Sequence, residues 1–171
     1  QMLGAISRKI QAYLTVKTLM SLITAILAYI ILLVFDINYA PVWAMLVFFL
    51  NFIPVVGSII AVMLPVAMAV LQFWDVSPWV ILIVTGLLIA VQQFVGSILE
   101  PRFLGSSLNL SPLIILVALS FWGFLWGPVG MLISVPVTVM MAIIFAAVPA
   151  TRWIAVLLSQ NGDSVEEEFG P

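Results

Sequence analysis

The sequence predicts an all-α polytopic membrane protein, in which transmembrane helices combine with two re-entrant helical hairpins in an inverted repeat. The first reason is composition: 65% of the 171 residues are hydrophobic, 7% are charged, and the mean hydropathy is +1.34. The second is distribution, because residues 18–150 contain only four charges: Asp36, Asp75, Glu100 and Arg102. A soluble domain of this size cannot remove so much apolar surface from water, whereas a bilayer accepts it.

The same composition excludes several classes of function. The chain has no Cys and no His, so it lacks thiol chemistry, the usual metal ligand and the usual base near neutral pH. No Gly-Lys-Ser/Thr phosphate loop is present, and the net charge of −2 does not favour nucleic acid. We therefore expect no enzyme, no cofactor and no metal site.

The N-terminal part of the chain divides into a surface segment and a first span. Residues 1–17 form an amphipathic helix that suits either the membrane interface or packing on an upstream domain. Residues 18–35 are apolar and, as a helix of about 27 Å, match the hydrocarbon thickness. Small residues recur along one face of this span, where they would let another helix approach closely: Thr18, Ser21, Ala25 and Ala28.

Two apolar stretches are interrupted by glycine and proline and are predicted to be re-entrant hairpins. The first covers residues 41–73, with its tip at 51–57, and its first arm is too short to cross a bilayer. Residues 79–99 form a second full span, which Glu100 and Pro101 are expected to end. The second hairpin covers residues 112–148, with its tip at 127–130. Non-helical backbone at this depth requires surrounding protein or a water-filled cavity.

The chain nearly repeats at an offset of 71 residues. Asn38-x-x-Pro41 matches Asn109-x-x-Pro112, and Pro65-Val66 matches Pro136-Val137. The predicted organisation is therefore a first repeat at 18–75, a second repeat at 76–148 and a cytoplasmic tail at 149–171.

Basic residues predict how the two repeats are oriented. Arg8, Lys9 and Lys17 precede the first span, and Arg102 and Arg152 follow later ones. If these sites are cytoplasmic, the two hairpins enter from opposite sides of the membrane. Inverted repeats with broken helices are typical of secondary transporters.

Polar residues on the second span are the main candidates for a binding or coupling site. Gln92, Gln93, Gly96, Ser97 and Glu100 recur at helical spacing on an otherwise apolar helix. Ionisable residues within a membrane are costly and face cavities or partners. Glu100 therefore either serves transport or forms a structural pair with Arg102.

The hairpin tips supply the other candidates. Asn51 offers a donor and an acceptor at the first tip, either to cap the hairpin or to contact a solute. Pro54 leaves a carbonyl without a helical partner, and Gly57, Gly127 and Gly130 permit close backbone approach. The full set of candidate residues is Asn51, Pro54, Gly57, Gln92, Gln93, Glu100, Arg102, Asn109, Gly127 and Gly130.

Several of these motifs resemble the autoinducer-2 exporter family of bacterial permeases. The matching segments are Asn51-x-Ile53-Pro54-x-x-Gly57, Leu99-Glu100-Pro101-Arg102-x-x-Gly105, Leu110-Ser111-Pro112 and, most specifically, residues 121–136. The resemblance covers residues 5 to 160 and corresponds to the C-terminal half of a member. It implies a multi-pass homo-oligomer of the bacterial inner membrane, with a pentamer as one expected state. It also implies export of autoinducer-2, a small quorum-sensing molecule, or sodium/proton exchange in some members.

Two classes of function remain open on this basis. The first is a secondary transporter that exports a small polar solute, with its site between the two tips near the bilayer midplane. A coupling ion would then drive the transport. Sodium/proton antiport is its variant, in which Glu100 or another acid carries the ion. The second class is a membrane scaffold whose hairpins only pack.

Overall fold

The computed structural model describes residues 2–104 and 111–159, and this part of the chain contains helices and no β-strand. Seven α-helices follow one another: α1 Met2–Val34, α2 Ala40–Leu50, α3 Val56–Phe73, α4 Pro78–Phe94, α5 Glu100–Leu104, α6 Pro112–Ala147 and α7 Arg152–Leu158. A π-helical turn, Val95–Leu99, joins α4 to α5, and a 3-10 turn, Pro149–Thr151, precedes α7.

The contacts group the chain into two compact units. We call residues 16–103 the central unit, and the described residues among 1–15 and 104–171 the terminal unit. These units do not follow the predicted repeats, because α4 packs on α3 of the preceding hairpin. The assignment of two repeats and a cytoplasmic tail stays a prediction, as do the tail residues 160–171, which lie outside the described part of the chain.

Four helical segments are long and apolar enough to cross a membrane, which confirms a membrane protein. They are Ile10–Val34, Val56–Phe73, Pro78–Phe103 and Pro112–Ala146. Their outer faces carry large apolar side chains, such as Leu71 at 82% and Phe124 at 90% exposed. Helix α1 continues without a break through residue 17, where the sequence analysis separated an interfacial segment from the first span.

Helices α2 and α3 form a helical hairpin in the central unit. Helix α2 has only 11 residues, about 16 Å, and α3 has 18 residues, about 27 Å. The Gln72 side chain near the end of α3 accepts a hydrogen bond from the Asn38 amide and donates one to the Asp36 carbonyl. The chain thus returns to the level at which α2 begins, as predicted for residues 41–73.

Small side chains allow the helices of the central unit to pack closely. Its buried core is rich in alanine, and its members are Ala25, Ala28, Leu32, Ile37, Ala40, Val47, Ala61, Ala69, Val84 and Leu88. The predicted small-residue face of α1 is therefore buried at Ser21, Ala25 and Ala28. Thr18 is exposed and does not belong to it.

The helical path continues past Glu100 and Pro101, where the sequence predicted a break. The amide of Glu100 bonds the carbonyl of Val95, five residues back, which defines the π-helical turn. This wider turn precedes Pro101 and, because it alters the local bonding pattern, lets helical backbone resume despite the missing N–H of proline. The segment therefore reaches Leu104.

Helix α6 of the terminal unit folds back on itself at Gly127. Gly127 has φ 61° and ψ −143°, outside the helical region. A Cβ on Gly130 would overlap the carbonyl of Trp122, although residues eight apart in a straight helix are separated by about 12 Å. The predicted hairpin at 112–148 is therefore seen as two arms with a turn at Gly127.

The two hairpins share one structural feature at their tips. A Cβ on Gly57 would overlap the carbonyl of Leu50, just as a Cβ on Gly130 would overlap that of Trp122. Each tip therefore requires glycine for a close approach between backbones. Re-entry into a membrane and inversion of the repeats stay predictions.

Candidate functional site

A polar cavity of about 390 Å³ lies within the central unit, between the tip of the first hairpin and one face of α1 and α4. It is lined by Lys17, Asn51, Ile53, Pro54, Val55, Ser58, Ile59, Gln92, Gln93, Gly96, Ser97 and Glu100. The surrounding helices are apolar enough to cross a membrane. A cavity with amide, hydroxyl and charged groups in such surroundings is suited to a polar ligand.

The hairpin tip reaches the cavity through a strained turn. The amide of Val56 bonds the carbonyl of Pro54 at 2.6 Å, closing a γ-turn around Val55. Val55 has φ 59° and ψ −64°, a conformation that is unfavourable for a β-branched residue. Such strain persists only where the surrounding structure enforces it, and it is found most often at functional sites.

Asn51 links the hairpin tip to both neighbouring helices. Its Nδ2 donates to Ser21 Oγ on α1 at 3.1 Å, and its Oδ1 accepts from Gln92 Nε2 on α4 at 2.9 Å. Asn51 is only 6% exposed. The side chain therefore joins the hairpin tip to α1 and α4, and it also lines the cavity, so its assignment to capping or to solute contact stays a prediction.

Lys17 and Glu100 form an ion pair at the cavity wall. Lys17 Nζ lies 2.6 Å from Glu100 Oε1, and the two side chains are 7% and 17% exposed. The alternative partner suggested by the sequence, Arg102, is instead exposed on α5. The prediction of a Glu100–Arg102 pair is thus wrong, because the carboxylate of Glu100 is paired with Lys17 of α1.

The π-helical turn explains why Gln92 and Glu100 share one wall. Eight residues of regular α-helix rotate the chain about 80° beyond two full turns. A π-helical turn absorbs one extra residue, which reduces the offset to about 20° in the opposite sense. Glu100 is therefore returned to the face of Gln92, and both side chains line the cavity.

The remaining candidate residues fall into four groups. Pro54 and Gln93 line the cavity, whereas Gly57 is buried within the hairpin beside Leu50. Gly127 and Gly130 shape the tip in the terminal unit. Asn109 lies outside the described residues.

Sequence reasoning missed Lys17 and Ser21 as members of the site. Lys17 was assigned only to membrane orientation, and Ser21 only to helix packing. Their spacing contained a signal, because Lys17, Ser21 and Thr24 recur at i, i+4 and i+7 and are all buried. This stripe on α1 is the counterpart of the polar stripe on α4.

Comparison with known proteins places the chain among transporters. The profile of the AI-2E family transporter matches residues 1–150. The AI-2 transport protein TqsA of Escherichia coli is 41% identical over 162 residues, covering 92% of this chain and 46% of that protein.

Two further relatives carry names that describe them provisionally as transport proteins. One, from Borreliella burgdorferi, is 40% identical over 156 residues, covering 91% of this chain and 43% of its own length. The other, from Haemophilus influenzae, is 40% identical over 152 residues, covering 88% and 42%. The chain thus spans less than half the length of these curated relatives. A family match of this extent, together with apolar helices around a polar cavity, shows that the chain belongs to the AI-2E transporter family.

Proposed function

We propose that the chain belongs to a secondary transporter that exports a small polar solute, and that the cavity of the central unit is part of its route. The carrying observation is that a strained hairpin tip and a polar face of α4 line this cavity among helices suited to a membrane. The solute is an autoinducer-2-like molecule, as the name of the E. coli relative suggests. Flux into or out of proteoliposomes, measured for autoinducer-2 and a panel of small polar solutes, tests this proposal.

The proposal extends to the location, the assembly and the energy source of the transporter. The bacterial inner membrane is its proposed location, and a homo-oligomer, including a pentamer, is its proposed assembly. A sodium or proton gradient is the proposed source of energy, since the chain has no ATP-binding loop. If neither a sodium gradient nor a proton gradient drives the solute against its own gradient in proteoliposomes, coupling is excluded.

Sodium/proton antiport is the second candidate function. It is favoured by the carboxylate of Glu100 in the cavity, where a coupling ion requires an acidic partner. Ion flux without any dependence on a solute would support antiport over export. If neither solute nor ion moves, a scaffold role becomes the better account.

Replacement of Asn51 by alanine is expected to weaken transport more than assembly. The substitution removes both links of the hairpin tip, to Ser21 and to Gln92, and leaves these buried groups without their partner. Each lost partner costs about 1 to 2 kcal/mol, which a helical membrane protein of this size should tolerate. We expect at least a tenfold loss of flux, because a loss of about 1.4 kcal/mol in the stabilisation of the transport barrier slows the rate tenfold. The elution position in size-exclusion chromatography should be unchanged. Ser120→Ala, at a serine that bonds only its own helix, is the matched control.

The membrane topology is testable with single cysteines, since the chain has none of its own. In the inverted arrangement, a cysteine at position 38 reacts only from outside and a cysteine at position 109 reacts from the cytoplasm. The physical reason is that basic residues stay on the cytoplasmic side. Labelling of position 38 from the cytoplasm, or of position 109 only from outside, would exclude the inversion.

A shared site between the two hairpin tips is tested by crosslinking. Broken helices of inverted repeats meet near the bilayer midplane in many transporters, which predicts a disulfide between cysteines at positions 54 and 128. Cysteines at 54 and 71 are the control pair, because Leu71 lies at the far end of α3. If the 54–128 crosslink fails in every transport state, the cavity of the central unit must act without the second tip.

A further inference from the structure

We propose that the ammonium group of Lys17 holds the position of a monovalent metal cation at Glu100, so that a free cation binds the cavity only when Lys17 leaves. The inference rests on the proposed function in treating the cavity as a transport site. Its test reads cation binding and not flux, so the two can fail separately.

The first argument is charge balance within the cavity. Its lining includes one cationic side chain, Lys17, and one anionic side chain, Glu100. They are in direct contact at 2.6 Å and largely buried, so the site is neutral as it stands. A carboxylate that loses such a partner in these surroundings requires another cation, because a lone buried charge is strongly unfavourable.

The second argument is the choice of lysine. An ammonium is a compact point charge on a flexible four-carbon stem, whereas a guanidinium is broad and planar. The lysine ammonium therefore resembles a small metal cation in its charge and compactness, and its flexible stem is the part that would carry it away from the carboxylate. The side chain of an arginine at the same position would match a carboxylate with two parallel bonds and would exchange less readily.

The third argument is the supply of oxygen ligands beside Glu100. Pro101 has no N–H to donate, so one carbonyl of the preceding turn lacks its helical partner. Gly96 and Ser97 of the π-helical turn line the cavity together with Glu100. The carboxylate of Glu100 and the hydroxyl of Ser97 are oxygen ligands of the type that hard metal cations prefer, and both residues line the cavity beside the π-helical turn.

Thermal unfolding of the full chain in detergent tests the inference, with sodium chloride compared against choline chloride at alkaline pH. The wild type is expected to unfold at the same temperature in both salts. Lys17→Met should instead be stabilised by sodium, by about 8 °C when sodium exceeds its dissociation constant ~100-fold. Adding Glu100→Gln to Lys17→Met should remove the sodium effect, because the anion is then absent. Arg102→Met, at an exposed basic residue outside the cavity lining, should behave as the wild type.

Two results would overturn the inference. One is a Lys17→Met variant that is folded and indifferent to sodium; the other is a wild type that sodium already stabilises as much as the variant. If Lys17→Met is too unstable to purify, the yield of monodisperse protein after extraction in each salt shows instead whether sodium stabilises the variant. A higher yield in sodium, with recovery in both salts for the double variant, supports the inference, and equal loss in both salts contradicts it.

Discussion

Gly57→Ala and Gly130→Ala are each expected to destabilise the protein by about 3 kcal/mol. A Cβ at Gly57 would overlap the carbonyl of Leu50, and a Cβ at Gly130 would overlap the carbonyl of Trp122. Both obstacles are backbone atoms, so no side-chain rotation relieves the overlap and the tip itself must open. In thermal unfolding, this loss corresponds to a decrease of about 8 °C in the midpoint.

Gly86→Ala provides the matched control within α4. A Cβ at Gly86 meets no atom within 4 Å, so the substitution adds helix propensity without a steric cost. We expect Gly86→Ala to raise the stability by about 0.5 to 1 kcal/mol. Equal effects of alanine at positions 57, 86 and 130 would show that the tips do not require close backbone approach.

Glu100→Gln is expected to abolish flux and to destabilise the central unit. The variant leaves the ammonium of Lys17 buried without its carboxylate, a change that costs about 3 kcal/mol or more when one partner of a buried pair is lost. The pair contributes to stability as a unit, so the double variant Lys17→Met/Glu100→Gln should recover much of the folded yield. Its flux should stay low, because the charged groups of the cavity are then missing.

The control for this experiment is Arg102→Gln. Arg102 lies two residues further along the chain, is exposed, and does not line the cavity. Thermal unfolding and flux of this variant should match the wild type. If Arg102→Gln lowers the unfolding temperature and the flux as much as Glu100→Gln does, Arg102 is the structural partner of Glu100, and the pairing with Lys17 is contradicted.

Features with short-range causes were readable from the sequence. Apolar runs predicted helices at 18–35, 79–99 and the hairpin arms, because the hydropathy and length of a segment decide whether it suits a bilayer. Glycine and proline predicted both tips, since their backbone limits act locally. The resemblance to the family was likewise confirmed, because the family profile matches residues 1–150.

Three features required the tertiary structure. The partner of Glu100 is Lys17, 83 residues away, and no local pattern distinguishes it from Arg102, which is two residues away. The helix passes Pro101 because a π-helical turn changes its bonding pattern, and the sequence read proline as a stop. Asn51 joins α1 and α4 through partners 30 and 41 residues distant.

The division between features predicted from the sequence and features decided by the tertiary structure has a physical reason. Composition, periodicity and backbone restriction act within one or two helical turns, so the sequence by itself determined a helical membrane protein with two broken hairpins and a polar face on α4. Ion pairs and hydrogen bonds form between side chains that packing brings together, and packing depends on the whole unit. Only the tertiary structure could therefore decide that α1 supplies Lys17 to an ion pair with Glu100 at the cavity wall, and Ser21 to a hydrogen bond with Asn51 at the hairpin tip.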